Sequence, residues 1–292
     1  MSLRMVKFNS VAIVGVGLIG GSLALCARQK GIFNHIVGIG RTPENLRKAK
    51  DLNVVDEFTF NLDEGVKNAE LVVIATPVKD ILPIIKEVLP ALKKGAIITD
   101  VGSVKNEIMI ETDKLSLPGV FFVGSHPIAG TENSGVEAAF SDLFLERKCI
   151  LTPSKKTDPS ALEKIKNLWI SVGSEVFFMD SEPHDRILGA VSHLPHMIAF
   201  ALVNYLHEIN HEKESIFNFS GGGLKDFTRI AASHPIMWKD IALMNKANLV
   251  NLMEGFQKTL EELKELINRG DGDELVRKFE ESRRIRRELI SC

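Results

Sequence analysis

"VAIVGVGLIGGSLA", residues Val11–Ala24, decides the fold. Val11–Val14 are apolar throughout, as in a strand covered on both faces. Gly15-x-Gly17-x-x-Gly20 follows at once and opens a helix-length apolar segment. In that strand–turn–helix context Gly15 makes the tight turn and Gly17 lets the backbone approach a pyrophosphate. Gly20 lets the helix lie close on the sheet. Leu18 and Ile19 then stand at the helix N-terminus, where free amides and the helix dipole face the anion. The stretch predicts dinucleotide binding at the chain's first βα turn.

Outward from it, short β-rich runs alternate with amphipathic helical segments. "HIVGIG" (His35–Gly40), "LVVIAT" (Leu71–Thr76), "AIITDV" (Ala96–Val101) and "VFFVGS" (Val120–Ser125) read as strands, and "CILTP" and "EVFFM" extend the same sheet to Met179. Repeated βα units predict an α/β fold, a doubly wound Rossmann-type parallel sheet. After residue 180 the strand pattern stops. "HDRILGAVSHLPHMIAFALVNYL" is a long apolar helix that Pro195 should kink; a further helical stretch is expected over Ile236–Asn268 and a charged one over Asp273–Leu289. Two domains follow: residues 1–180 for the dinucleotide and 181–292 all-helical. The helices carry more apolar surface than so small a bundle hides, which predicts a homodimer through them.

Composition sets the outer limits. The 292 residues are 45% hydrophobic and 25% charged with net charge −2, an ordinary globular chain without the electrostatics for nucleic acid or an anionic membrane. No apolar run is read as the roughly 18–20 residues of a membrane span. Cys26, Cys149 and Cys292 are too few and too scattered for a disulfide framework or structural zinc. A cytoplasmic location is expected.

An NAD site places an acid after the second strand to bind the ribose 2′-hydroxyl. Here Gly40, Arg41 and Thr42 occupy that place. No carboxylate repels a 2′-phosphate and Arg41 could pair with one, which favours NADP or use of both forms. "ATPVKD" (Ala75–Asp80) puts Thr76 and Pro77 on the same carboxyl edge.

Two further loops open there, "DVGSVK" (Asp100–Lys105) and "SHPIAGTENSG" (Ser125–Gly135). His126, at a strand's carboxyl end, would stand beside the nicotinamide, and its near-neutral reference pKa suits transfer of a hydroxyl proton. In the helical half, His193 and His196 are three residues apart on one face, and Lys225 and Arg229 are four apart on another. No cysteine or acid completes a zinc set with the histidines, so no metal is expected.

Taken together, "GVGLIGGS", "ATPV", "TDVGSVK", "SHPIAGTENSG", "VSHLPH" and "GGGLKDFTRIA…PIMW" resemble the prephenate (cyclohexadienyl or arogenate) dehydrogenase family of tyrosine biosynthesis. The resemblance implies a nucleotide-binding domain, a helical dimerisation domain and an active site between them. It implies that His126 contacts the C4 hydroxyl of prephenate, that Ser103 lies near the nicotinamide and that hydroxyl, and that Arg229 binds a substrate carboxylate. His196 and Lys225 would help with the carboxylates, with His193 in support. Thr131 and Glu132 would close over the substrate, and Trp238 would form a wall. Without a regulatory domain, tyrosine feedback would act at the active site.

Arogenate preference or dual use stays open at this point. The β-hydroxyacid dehydrogenases and imine reductases share the glycine motif and a helical second domain; in that reading Lys225 is pivotal. A redox-sensing DNA-binding regulator would need a helix-turn-helix or basic patch, and neither is read in the sequence.

Overall fold

The computed structural model describes residues 6–131, 133–210 and 215–291. Strands β1 (Phe8–Val14), β2 (Phe33–Ile39), β3 (Glu57–Thr59), β4 (Leu71–Ile74), β5 (Ile97–Asp100), β6 (Phe121–Pro127), β7 (Lys148–Thr152) and β8 (Glu175–Phe178) form one sheet in the order β3-β2-β1-β4-β5-β6-β7-β8. All neighbours run parallel except β6 and β7, which pair antiparallel with His126 opposite Ile150. The fully parallel sheet read from the sequence is corrected at that one join. β3, three residues long, carries too little pattern to read.

Helices α1 (Leu18–Gln29), α2 (Pro43–Asp51), α3 (Leu62–Val66), α4 (Val78–Val88), α5 (Asn106–Lys114) and α6 (Pro159–Ser171) cover the sheet. Alternation along β1 shows the double winding. Val11 and Ile13 pack into one buried layer with Leu23 and Ile165, and Ala12 and Val14 into the other with Ile81 and Ile108. The order reverses beside β1, so the loops after β1 and β4 diverge there and leave a crevice at the carboxyl edge.

The chain then turns helical: α7 (Ser181–Leu188), a π-helical turn over Gly189–His193, α8 (Leu194–Glu208), α9 (Gly222–Thr228) and α10 (Pro235–Met244). The irregularity expected from Pro195 takes the form of that π turn, which absorbs the hydrogen bond Pro195 cannot donate. Trp238 and Ile241 of α10 join the second buried layer, against the α4 side of the sheet. The change from sheet to helices falls at 180, but the compact unit continues to Asn245 and the second unit begins at Lys246. That second unit contains α11 (Lys246–Arg269) and α12 (Gly272–Ser291). The helical stretch expected over Ile236–Asn268 is made of two helices, separated at Asn245.

One reading of the composition needs correcting. The helical run Ser181–Glu208 contains an 18-residue window of mean hydropathy 1.5, long and apolar enough to cross a membrane by length and composition. Only 22% of that window is buried, and Val191 and Tyr205 of the run are exposed.

Candidate active site

Two cavities open at the carboxyl edge and share Gly17, Ala75, Thr76 and Pro77. The first, about 480 Å³, is bordered by Gly15, Gly17, Arg41, Thr42 and Asp80. Its floor is made by close packing. Gly15 has φ +95°, and a Cβ there would lie 2.5 Å from the Ala75 carbonyl oxygen. A Cβ on Gly20 would lie 2.3 Å from the Gly15 oxygen, whereas one on Gly17 would meet nothing within 4 Å. The backbone is thus packed tightly behind the turn and open in front of it. No side chain caps α1, and no acid lies in its first turn, so its leading amides are left for an anion. Thr76 Oγ1 is buried without a hydrogen-bond partner beside that opening. These features fit a nicotinamide dinucleotide: the α1 turn for the pyrophosphate, Thr76 for a polar group, and Arg41 and Thr42 toward the adenosine ribose.

Arg41 is 86% exposed, and its guanidinium lies 3.4 Å from Asp80 Oδ2. The acid missing after β2 is thus supplied from α4, a placement that sequence order conceals. Asn45, also unread in the sequence, donates to the Val16 carbonyl at 2.7 Å and accepts from the Val136 amide at 3.2 Å. It ties the glycine turn to the segment that follows the second cavity.

The second cavity, about 430 Å³, is lined by Leu18, Ile19, Ser103, His126, Thr131, His193 and Trp238 among others. It brings together loops from four strand ends and the helical turn at His193. Glu132 lies outside the described residues. His126 is 9% exposed and sits where β6 has left β5 but still pairs with β7. Its seat is polar. Ser125 Oγ donates to the Asp100 carbonyl, and Lys105 Nζ, fully buried, pairs with the Asp100 carboxylate and donates to the Ser125 carbonyl at 3.1 Å. Burial first, then the neighbouring His184, Lys105 and His193, hold the His126 imidazole well below the ordinary histidine range.

His126 Nδ1 lies 2.9 Å from His184 Nε2. His184 Nδ1 lies 2.8 Å from Asp185 Oδ1, and Asp185 also accepts the amides of Lys105 (2.8 Å) and Asn106 (2.9 Å) at the start of α5. Neither His184 nor Asp185 was singled out in the sequence, where an adjacent His–Asp pair on a helix resembles a solvated face. Their signal is burial, which only the packing of α7 on α5 creates.

His193, 1% exposed, receives a hydrogen bond at Nδ1 from Asn245 Nδ2 at 3.0 Å. The same amide nitrogen donates to the Asp185 carbonyl at 2.8 Å, which fixes it as the donor. The His193 proton therefore resides on Nε2. Burial lowers its pKa to about 4 against the opposing pull of Asp185.

The cations stand elsewhere. No lysine or arginine lines the second cavity among the described residues. Lys225, on α9, and Arg229, just beyond its end, are both exposed. His196 does not reach the lining either. Its ring stacks on Trp238, and Nδ1 donates to the Ser192 carbonyl at 2.8 Å. Arg229 is near enough for its charge to depress the His196 pKa, although burial is the larger cause. His234, exposed at the cavity, was not read from the sequence.

A doubly wound sheet, a glycine turn under an uncapped helix and a buried imidazole across the same crevice define a nicotinamide-dependent oxidoreductase. Comparison with known proteins narrows this. Residues 23–178 match the prephenate dehydrogenase nucleotide-binding domain and residues 180–281 the prephenate dehydrogenase dimerization domain. The chain belongs to the prephenate dehydrogenase family. It is 38% identical to a cyclohexadienyl dehydrogenase of Zymomonas mobilis, over 97% of this chain and 96% of that one. It is 35% identical to a prephenate dehydrogenase of Bacillus subtilis, over 95% and 75% respectively. The fold matches a crystal structure of prephenate dehydrogenase from Aquifex aeolicus in complex with hydroxyphenyl propionate and NAD+ at TM-score 0.92 and 42% identity, covering 98% of this chain and 100% of that one.

Proposed function

We propose that this protein is a prephenate dehydrogenase of tyrosine biosynthesis. It would convert prephenate to 4-hydroxyphenylpyruvate and CO₂ while passing a hydride to NAD(P)+. The observation that carries the reading is His126, a neutral buried imidazole at the rim of a cavity shared with the glycine turn and Ser103. A bound nicotinamide supplies the hydride acceptor. His126 takes the C4 hydroxyl proton as hydride leaves C4. The C1–carboxylate bond breaks, its electron pair completes the aromatic ring, and the proton returns to the phenolic oxygen. A positioned base of this kind contributes on the order of 10²–10⁴ in rate. Ser103 orients the same hydroxyl, Thr131 closes over the ring, His193 donates from Nε2, and Trp238 forms the wall.

Arg229 is assigned to a substrate carboxylate, with Lys225 and His196 in support. The exposed guanidinium has the planar fork that a carboxylate engages at two points. Arg41 and Asp80, opposite charges at the mouth of the first cavity, support use of both NAD and NADP. The exposed apolar surface of the Ser181–Glu208 run and the match to a dimerization domain support a homodimer. The free cysteines Cys26 and Cys149, both buried, suit a cytoplasmic enzyme. Tyrosine, which resembles the product, would compete at the same site.

An assay crossing prephenate and arogenate with NAD and NADP tests the proposal. Prephenate-dependent reduction of either cofactor is expected; turnover of neither substrate would refute it.

A further inference from the structure

The hydrogen-bonded chain behind His126 carries a consequence for which of its nitrogens is the base. Asp185 is 2% exposed, and two backbone amides at the start of α5 point at its carboxylate, an arrangement that requires the ionised, acceptor-only form. The third contact of Asp185 must therefore be a donor, so His184 carries its proton on Nδ1. In the tautomer with this single ring proton on Nδ1, His184 Nε2 is an acceptor, and the group 2.9 Å from it, His126 Nδ1, is N–H. His126 Nε2 is left as a lone pair.

We propose that His184 and Asp185 are positioning residues that lock His126 into its Nδ1–H tautomer and so hold Nε2 bare toward the cavity. The inference rests on the reading of His126 as the base. Neither residue touches substrate. When Nε2 accepts the hydroxyl proton, the imidazolium donates through Nδ1 to His184, and the Asp185 carboxylate supports that charge at one remove, without any proton moving along the chain. The other charged or titratable groups facing His126 cannot replace this arrangement. Lys105 is paired with Asp100, His193 Nδ1 is taken by Asn245, and burial raises the Cys149 thiol well above its ordinary range, leaving it neutral.

The test reads the tautomer directly. In protein labelled with ¹⁵N-histidine and free of substrate, His126 should show a protonated Nδ1 and an unprotonated Nε2, and His184 the same. A proton on His126 Nε2 in the unmodified protein would overturn the inference, whatever the substrate proves to be. Kinetics supply the second arm. His184→Phe removes both hydrogen-bonding positions and should lower kcat about 10²-fold with KM little changed. His184→Gln places a carbonyl toward His126 and an amide toward Asp185, and should restore most of that loss. A folded His184→Phe variant with full kcat would contradict the assignment. Failure of the wider functional reading is seen separately, as full turnover in His126→Asn.

Discussion

His196 lies on Trp238 with ring centroids 3.6 Å apart and planes inclined by 21°. Trp238 lines the cavity and His196 does not, so His196 acts on the site through the indole. The His193 ring packs on the same indole in a T-shaped arrangement, with centroids 6.0 Å apart. Removing His196 should loosen Trp238: His196→Ala is expected to change the tryptophan fluorescence and to raise KM for prephenate more than it lowers kcat. Unchanged fluorescence and KM would show that the stack has no part in binding.

Arg229→Ala should raise KM for prephenate by about tenfold or more, the loss associated with one charge-assisted hydrogen bond, while kcat changes little. The same substitution removes a cation that depresses the His196 pKa, so that pKa should rise toward its ordinary value in an NMR titration. A KM equal to the wild-type value would remove Arg229 from the carboxylate site.

Cofactor choice turns on Arg41. Arg41→Ala should raise KM for NADP by about tenfold and leave that for NAD nearly unchanged, because only NADP offers a 2′-phosphate to pair with. Asp80→Ala frees Arg41 from its 3.4 Å contact and should improve NADP. Equal effects on both cofactors would place Arg41 outside ribose recognition.

Stability should depend on the buried histidines. His193 has a folded pKa of about 4 against an ordinary 6.5, so below that ordinary value the unfolded chain binds a proton the folded one refuses. The stabilisation is complete above about pH 6.5 and is lost as pH falls toward 4, by about 3 kcal/mol in all. His126, lowered for the same reason, acts in the same direction. Urea midpoints should fall from pH 7 to pH 5; a flat profile would contradict neutral burial of these rings.

The pair beneath His126 gives a separate check. Lys105 and Asp100 are both fully buried, so Lys105→Met strands a carboxylate and should cost about 3–5 kcal/mol by denaturation. A loss under 1 kcal/mol would mean that the Asp100 charge is carried by other partners.

Much of this was legible in the sequence because it depends on local order. The glycine turn, the strands covered on both faces and the loops at their carboxyl ends follow from periodicity and chain direction. That is why chain order alone puts Gly17, Thr76, Ser103 and His126 on one edge. The antiparallel turn of β7 was not legible, since a fully apolar strand has no pattern that encodes direction. Nor was the break at Asn245, where no glycine or proline marks the end of α10.

The residues missed share one cause. His184, Asp185 and Asp80 matter through neighbours 58, 80 and 39 positions away in sequence. Only the fold brings those partners together. Arg229 and Lys225 show the converse: their residue type suggests carboxylate binding, yet both side chains are exposed outside the cavity lining. Chemistry read from residue type locates candidate cations without fixing where they point.

The most direct measurement is prephenate-dependent NAD(P)H formation by the wild-type protein and by His126→Asn, with folding verified for both. Sustained turnover is expected of the wild type, and a kcat lower by about 10²–10⁴ of the variant. A folded variant turning over at the wild-type rate, or a wild type inert toward prephenate with both cofactors, would contradict it.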